Sequence, residues 1–119
     1  MVNNSVIQAF ILNNQKKLFL LAYYTKLDFY DFVKTYLKSK VCERIDSDYS
    51  YWQTQSPEAI LEELLLEKKE LKYSNTAKQD INVDAIEWLG FFYRKWHFLT
   101  GESSKQILRF LKFYFQLSL

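Results

Sequence analysis

His97 is the only histidine in this 119-residue chain and Cys42 the only cysteine, so nucleophilic, general-base or metal chemistry of the usual kind has to be built around one of them. Zinc and similar ions need three or four His, Cys or carboxylate ligands at fixed spacing, and only Cys42 could supply a thiolate. On a helix, Glu87 and His97 stand about 80° apart and about 15 Å along the axis, too far to share an ion. Tyr93 and His97, four residues apart, share a helical face; a structural hydrogen bond or ring contact is the expected relation. Cys42 follows Val41 with no nucleophile motif around it. Glu62 and Glu63 are adjacent carboxylates without a neighbouring histidine. Asp46-Ser47-Asp48-Tyr49-Ser50 opens like a calcium loop, but Tyr51 stands where that loop needs glycine and Pro57 where it needs its closing glutamate. No phosphate-cradling glycine loop and no nucleophile elbow occur. The expectation is a non-enzymatic chain with no catalytic, cofactor or metal site.

The elements that would hold these residues are helical. Aromatic residues make up 18% of the chain, against two glycines and one proline, so turns are few and an all-α architecture is favoured over a sandwich or barrel. The length fits one domain, 1–119, with a radius of gyration of about 14 Å. Sixteen basic and 14 acidic side chains give a formal charge of +2, with both signs spread along the chain, which supplies no concentrated basic face for nucleic acid. A lone cysteine points to a reducing compartment. Lys16-Lys17 and the apolar run Leu18 to Tyr24 imitate a signal peptide without its cleavage site, and no stretch approaches the roughly 20 apolar residues of a membrane span. Asn3-Asn4-Ser5 fits a glycosylation acceptor, which has no meaning in a cytosol. A cytoplasmic protein off the membrane, a compact bundle of about five helices, is expected.

Spacing then locates the helices. The first runs from about Ser5 to Tyr24, where Val6, Ala9, Phe10, Asn13, Lys17, Leu20, Leu21 and Tyr24 trace spacings of three and four. A second starts near Thr25 to Asp28, which have capping-box spacing, and buries Phe29, Phe32, Val33, Tyr36 and Leu37; Lys34, Lys38 and Lys40 form a solvated edge. Cys42 to Gln55 is a connection that Tyr49, Tyr51 and Trp52 pin to the core. Ser56-Pro57-Glu58 is a strong helix start, with Ile60, Leu61, Leu64 and Leu65 inward, Glu62, Glu63, Glu67, Lys68, Lys69 and Glu70 in water, and an end near Leu71. Tyr73 to Asp80 is a polar linker.

The stretch Ala85 to Ser104 organises the rest. Asn82 or Asp80 caps its helix and Gly101 closes it. Trp88, Phe92 and Trp96 form a stripe too broad to leave in water, so it must meet another helix or another chain. Gly90 inside it implies that a neighbouring backbone or ring presses close. Ser103 and Gln106 have capping-box spacing for a last helix, Ser104 to about Gln116, apolar nearly all round.

Helix, Gly101, Ser103 and helix also resemble a DNA-binding helix-turn-helix over residues 84–116. His97 and Glu102 stand at two positions of that motif which want a small and an apolar residue. Lys105, Gln106, Arg109 and Lys112 are the side chains that could reach DNA, on a helix otherwise rich in Phe and Leu, so nucleic acid is the secondary expectation.

The block Trp88-Leu89-Gly90-Phe91-Phe92-Tyr93-Arg94-Lys95-Trp96, continued by Leu99-Thr100-Gly101-Glu102-Ser103-Ser104-Lys105, resembles a motif of short, uncharacterised bacterial proteins associated with toxin–antitoxin-like operons. The resemblance implies an antitoxin-like or accessory component whose partner is another protein, such as a toxin from the same operon. The residues expected to touch that partner are Trp88, Phe92, Tyr93, Arg94, Trp96, His97, Phe110, Phe113 and Tyr114. The greasy last segment, 104–119, is expected to mediate any homo-oligomer.

Overall fold

Most helix starts in this chain are written as an oxygen-bearing side chain that turns onto the first free backbone N–H groups, the standard remedy for a helix end. Asp28 accepts from Asp31 N, Ser39 from Cys42 N, Ser56 from Ala59 N and Asn82 from Asp84 N. The computed structural model describes residues 4–47, 50–71 and 81–115, without the side chains of 4 and 113–115. The order is α1 (Asn4–Tyr24), α2 (Phe29–Lys38), α3 (Lys40–Asp46), a 3₁₀ turn (Tyr51–Thr54), α4 (Pro57–Glu67), α5 (Val83–Thr100) and α6 (Ser104–Phe115). The chain is an all-α bundle with a Cα radius of gyration of 13.7 Å. No described helix is long and apolar enough to cross a membrane.

The centre is Phe19 of α1. Its ring meets Phe29, Phe32 and Tyr36 edge-on and lies parallel to Tyr93 at 5.5 Å. Gly90 is where α5 crosses α1: a Cβ there would stand 2.9 Å from Gln15 O and 3.1 Å from Phe19 Cγ. The close approach inferred from that glycine is therefore present, from backbone and ring together.

The face of α1 that turns inward is not the one its three-and-four spacing traces. Val6, Phe10 and Tyr24 are exposed, while Ile11, Leu12, Gln15, Leu18, Phe19 and Ala22 are buried. The helix carries apolar residues on several sides, so periodicity cannot choose between them; the contact with Gly90 does. Lys26, at φ 66°, then turns the chain out of α1 and into α2. In α2 the five expected core residues are all buried.

Six helices stand among the described residues instead of about five, because Lys40–Asp46 is helical and not a connection. Seven residues are too few to hold a helix by propensity, and α3 is capped from outside as well as by Ser39. The Glu67 carboxylate, expected in water, accepts from Lys40 N at 2.8 Å and Val41 N at 3.3 Å. Glu67 is also the last residue of α4, which stops short of Leu71. In the turn that follows α3, Trp52 packs on the core but Tyr51 is exposed; Tyr49 and the expected linker lie outside the described residues. The last helix is two-sided, with Ile107, Leu108 and Leu111 buried and Lys105, Gln106, Arg109 and Phe110 exposed.

Replacing Gly90 by alanine gains helix propensity, about 1 kcal/mol, but drives a methyl into the α1 backbone, where overpacking costs typically 1–3 kcal/mol or more. Gly90→Ala is expected to lower stability by up to about 2 kcal/mol, measured as a shift of the urea midpoint at unchanged m-value.

Candidate functional site

The face of α5 that carries Gly90, Tyr93, Arg94 and His97, spaced three and four apart, turns inward and builds a polar cluster in the middle of the bundle. Arg94 has no exposed surface. Its Nη1 donates to Asp46 Oδ1 at 2.6 Å, and its Nη2 donates to Tyr93 Oη at 2.9 Å and to Cys42 Sγ at 3.5 Å. Tyr93 Oη donates to Gln15 Oε1, and Tyr36 Oη donates to the same oxygen at 2.8 Å. Asp46, at the end of α3, also receives Ser104: N–H to Oδ2 at 2.8 Å and Oγ to Oδ1 at 2.7 Å. The carboxylate thereby sits on the N-terminus of α6, where the helix dipole favours an anion. Ser103 and Gln106 complete that end as a reciprocal capping box.

His97 is committed as well. Its Nδ1 lies 2.7 Å from Glu102 O and its Nε2 3.0 Å from Asp46 O, so the ring ties α3 to the turn between α5 and α6, a turn made by Gly101 at φ 76°. It does not bond Tyr93. Among the described residues, Arg94 Nε and Glu102 Oε2 are the buried side-chain atoms left without a partner.

Burial pushes the Cys42 thiol up, and pushes the Tyr36 and Tyr93 phenols up with it, against the pull of the Arg94 guanidinium. The thiol and both phenols are thus held neutral beside one matched ion pair. That set can bind five helices to one another; its central groups are closed to a ligand, since Tyr36, Cys42, Tyr93 and Arg94 are all fully buried. Tyr93 and Arg94, expected to touch a partner, are therefore interior residues. Among the described residues no group of His, Cys, Asp and Glu is arranged to hold a metal ion.

With that face inward, the aromatic stripe runs along the outer flank of α5, Trp88 exposed and Phe92 and Trp96 half-buried. Trp88 and Phe92 stack at 4.5 Å, Phe92 meets Trp96 at 5.6 Å, and Trp96 meets Phe110 of α6 at 5.3 Å. Trp88 is 50% exposed, Phe91 39%, Leu99 72% and Phe110 41%. Beside Trp88 lies an apolar cleft of about 220 Å³ lined by Phe29, Tyr30, Ile81, Ala85, Trp88 and Leu89. Four expected contact residues, Trp88, Phe92, Trp96 and Phe110, share this surface; the side chains of Phe113 and Tyr114 lie outside those described. Leu99, which widens the stripe by its spacing, belongs to it too, as does Phe91, three residues after Trp88 and exposed.

Of the residues that could reach DNA, Lys105, Gln106 and Arg109 are exposed on one side of α6. Lys112 stands near Lys38, whose pKa it holds below the ordinary lysine value, with burial, Lys34 and Lys68 adding to the effect. Comparison with protein-family models, curated proteins and solved structures finds no match for this chain.

Two outcomes test the cluster. Asp46→Ala leaves a buried cation unmatched and should cost about 3–5 kcal/mol of stability, read from urea unfolding at pH 7. Because the folded pKa values of Cys42, Tyr36 and Tyr93 are raised above 9.0 and 10.0, the native state keeps protons the unfolded chain releases. Stability is fully present below those unfolded values and falls as pH rises past about 9–10, by up to about 1.4 kcal/mol per pH unit for each group. Urea midpoints from pH 7 to 11 should show this decline, shallower in Tyr36→Phe.

Proposed function

We propose that this chain is a non-enzymatic protein-interaction module that docks a partner on the aromatic face of α5 and Phe110. One observation carries the reading: Trp88, Phe91, Leu99 and Phe110 are each 39–72% exposed on the outer side of α5 and α6, and the largest apolar patch of a folded monomer is often its functional one. Large aromatic side chains on a rigid helix are also what interface hot spots are made of. Trp88 and Phe92 stack, whereas Phe92 meets Trp96 edge-on and Trp96 is tilted on Phe110, so the surface offers both ring faces and edges.

The Trp88–Lys105 motif directs the partner search to the products of neighbouring genes, in the manner of an antitoxin or accessory subunit acting in a bacterial cytoplasm. A second reading, a helix-turn-helix regulator, is favoured by the exposed trio Lys105, Gln106 and Arg109 and by the lysines that converge near Lys112. Phe110 interrupts that surface.

Co-expression with each neighbouring gene product tests both. A stable complex is expected, weakened at least about tenfold by Trp88→Ala or Leu99→Ser, while the stability of Leu99→Ser, at an exposed position, stays within about 0.5 kcal/mol of the parent. A complex that ignores both substitutions overturns the first reading. Salt-sensitive retention on duplex DNA, lost in Arg109→Ala, establishes the second instead.

A further inference from the structure

We infer that the aromatic face is closed by a second copy of this chain, the two α5 helices running antiparallel about a two-fold axis beside Phe91 and Phe92, with Phe110 of each copy seated in the other's apolar cleft. The inference rests on reading this face as an interaction surface, and names its occupant.

The outermost row of α5 is Asp84, Trp88, Phe91, Lys95 and Leu99, one residue per turn. Reversed about the midpoint between 91 and 92, the row meets itself productively. Phe91 meets Phe91 and Phe92 meets Phe92 across the axis, and Lys95 comes opposite Trp88, whose half-exposed ring beside Phe92 is a surface on which a cation can lie. Asp84 falls opposite Leu99 and within a turn of Lys95. A parallel arrangement would set Lys95 against Lys95 and Asp84 against Asp84.

The cleft and Phe110 supply the shape match. Ala85, Trp88 and Leu89 line the cleft and fall on one helical stripe with Phe92 and Trp96. Phe110 stands against Trp96 on that same flank, toward the opposite end of the helix. A two-fold axis across α5 keeps like flanks together while exchanging ends, so it carries Phe110 of each copy to the cleft of the other. The chain holds both the projecting ring and the hollow for it, which is what an isologous contact requires. The exposed apolar surface, about 500 Å² per copy from the size of such side chains, doubles to about 1,000 Å², the lower bound of a specific interface.

Sedimentation equilibrium of the full chain over a concentration series should show a reversible dimer. Phe110→Ala, and Ala85→Trp to fill the cleft, should each weaken it at least tenfold while the variants keep the parent's helical circular-dichroism spectrum and unfold cooperatively. Geometry is read by disulfide trapping. In the antiparallel pair two copies of position 84, or of position 99, are about 22 Å apart along the axis. Asp84→Cys and Leu99→Cys should therefore fail to cross-link alone and cross-link when mixed. A chain that stays monomeric, or one that cross-links 84 to 84, overturns the inference. A monomer that still holds a neighbouring gene product through Trp88 sinks the dimer alone; one that also holds none sinks the interaction reading with it.

Discussion

A guanidinium with no exposed surface must be matched where it lies, and the pairing of Arg94 with Asp46 at 2.6 Å is the constraint that the rest of this bundle accommodates. Asp46 does more than neutralise. Its carboxylate caps α6 through Ser104, and its backbone carbonyl faces His97, so the end of α3, the middle of α5 and the start of α6 converge on one residue. Tyr93 extends the network to Gln15 of α1, which in turn receives Tyr36 of α2. An isolated buried ion pair is weak evidence of stability, because its desolvation offsets its attraction. Here the pair is also a junction, and breaking it strands polar groups on several helices.

That junction decides which way α5 faces. A helix buries one side, and the side holding Gly90, Tyr93, Arg94 and His97 is the one taken. Trp88, Phe91 and Leu99 lie on the opposite side and are left exposed, although by transfer free energy alone they are the better candidates for burial. The arrangement follows from satisfying the polar groups first: an unmatched buried charge is worse than an indole in water.

Much of the fold is legible in the residues. Asp28, Ser56 and Gly101 mark helix boundaries through local chemistry, Ser103 with Gln106 reads as a capping box, and α2 is strongly two-sided, so its core can be named from spacing. The failures share a cause, which is dependence on something distant. The start of α3 is held partly by Glu67, 27 residues away, and no local pattern announces that. The face of α1 is chosen by Gly90 on another helix. Tyr93 and Arg94 belong to the interior because Asp46 waits there, 48 residues earlier in sequence. The ladder of Trp88, Phe92 and Trp96 reads from spacing as needing cover; that Trp96 finds some on the core and on Phe110 while Trp88 stays half-exposed follows only from the placing of the polar face.

The anchoring of α6 by Asp46 also bears on how the chain reaches this state. The bond from Ser104 to Asp46 spans 58 residues, and closing so large a loop is entropically costly before its contacts form. Local segments such as the α1–α2 hairpin can assemble without it, whereas α6 has to wait for α3 to be in position. During synthesis from the N-terminus the rings of α5 are made before the helix that carries Phe110, so Phe110 joins that surface only after Trp88, Phe92 and Trp96.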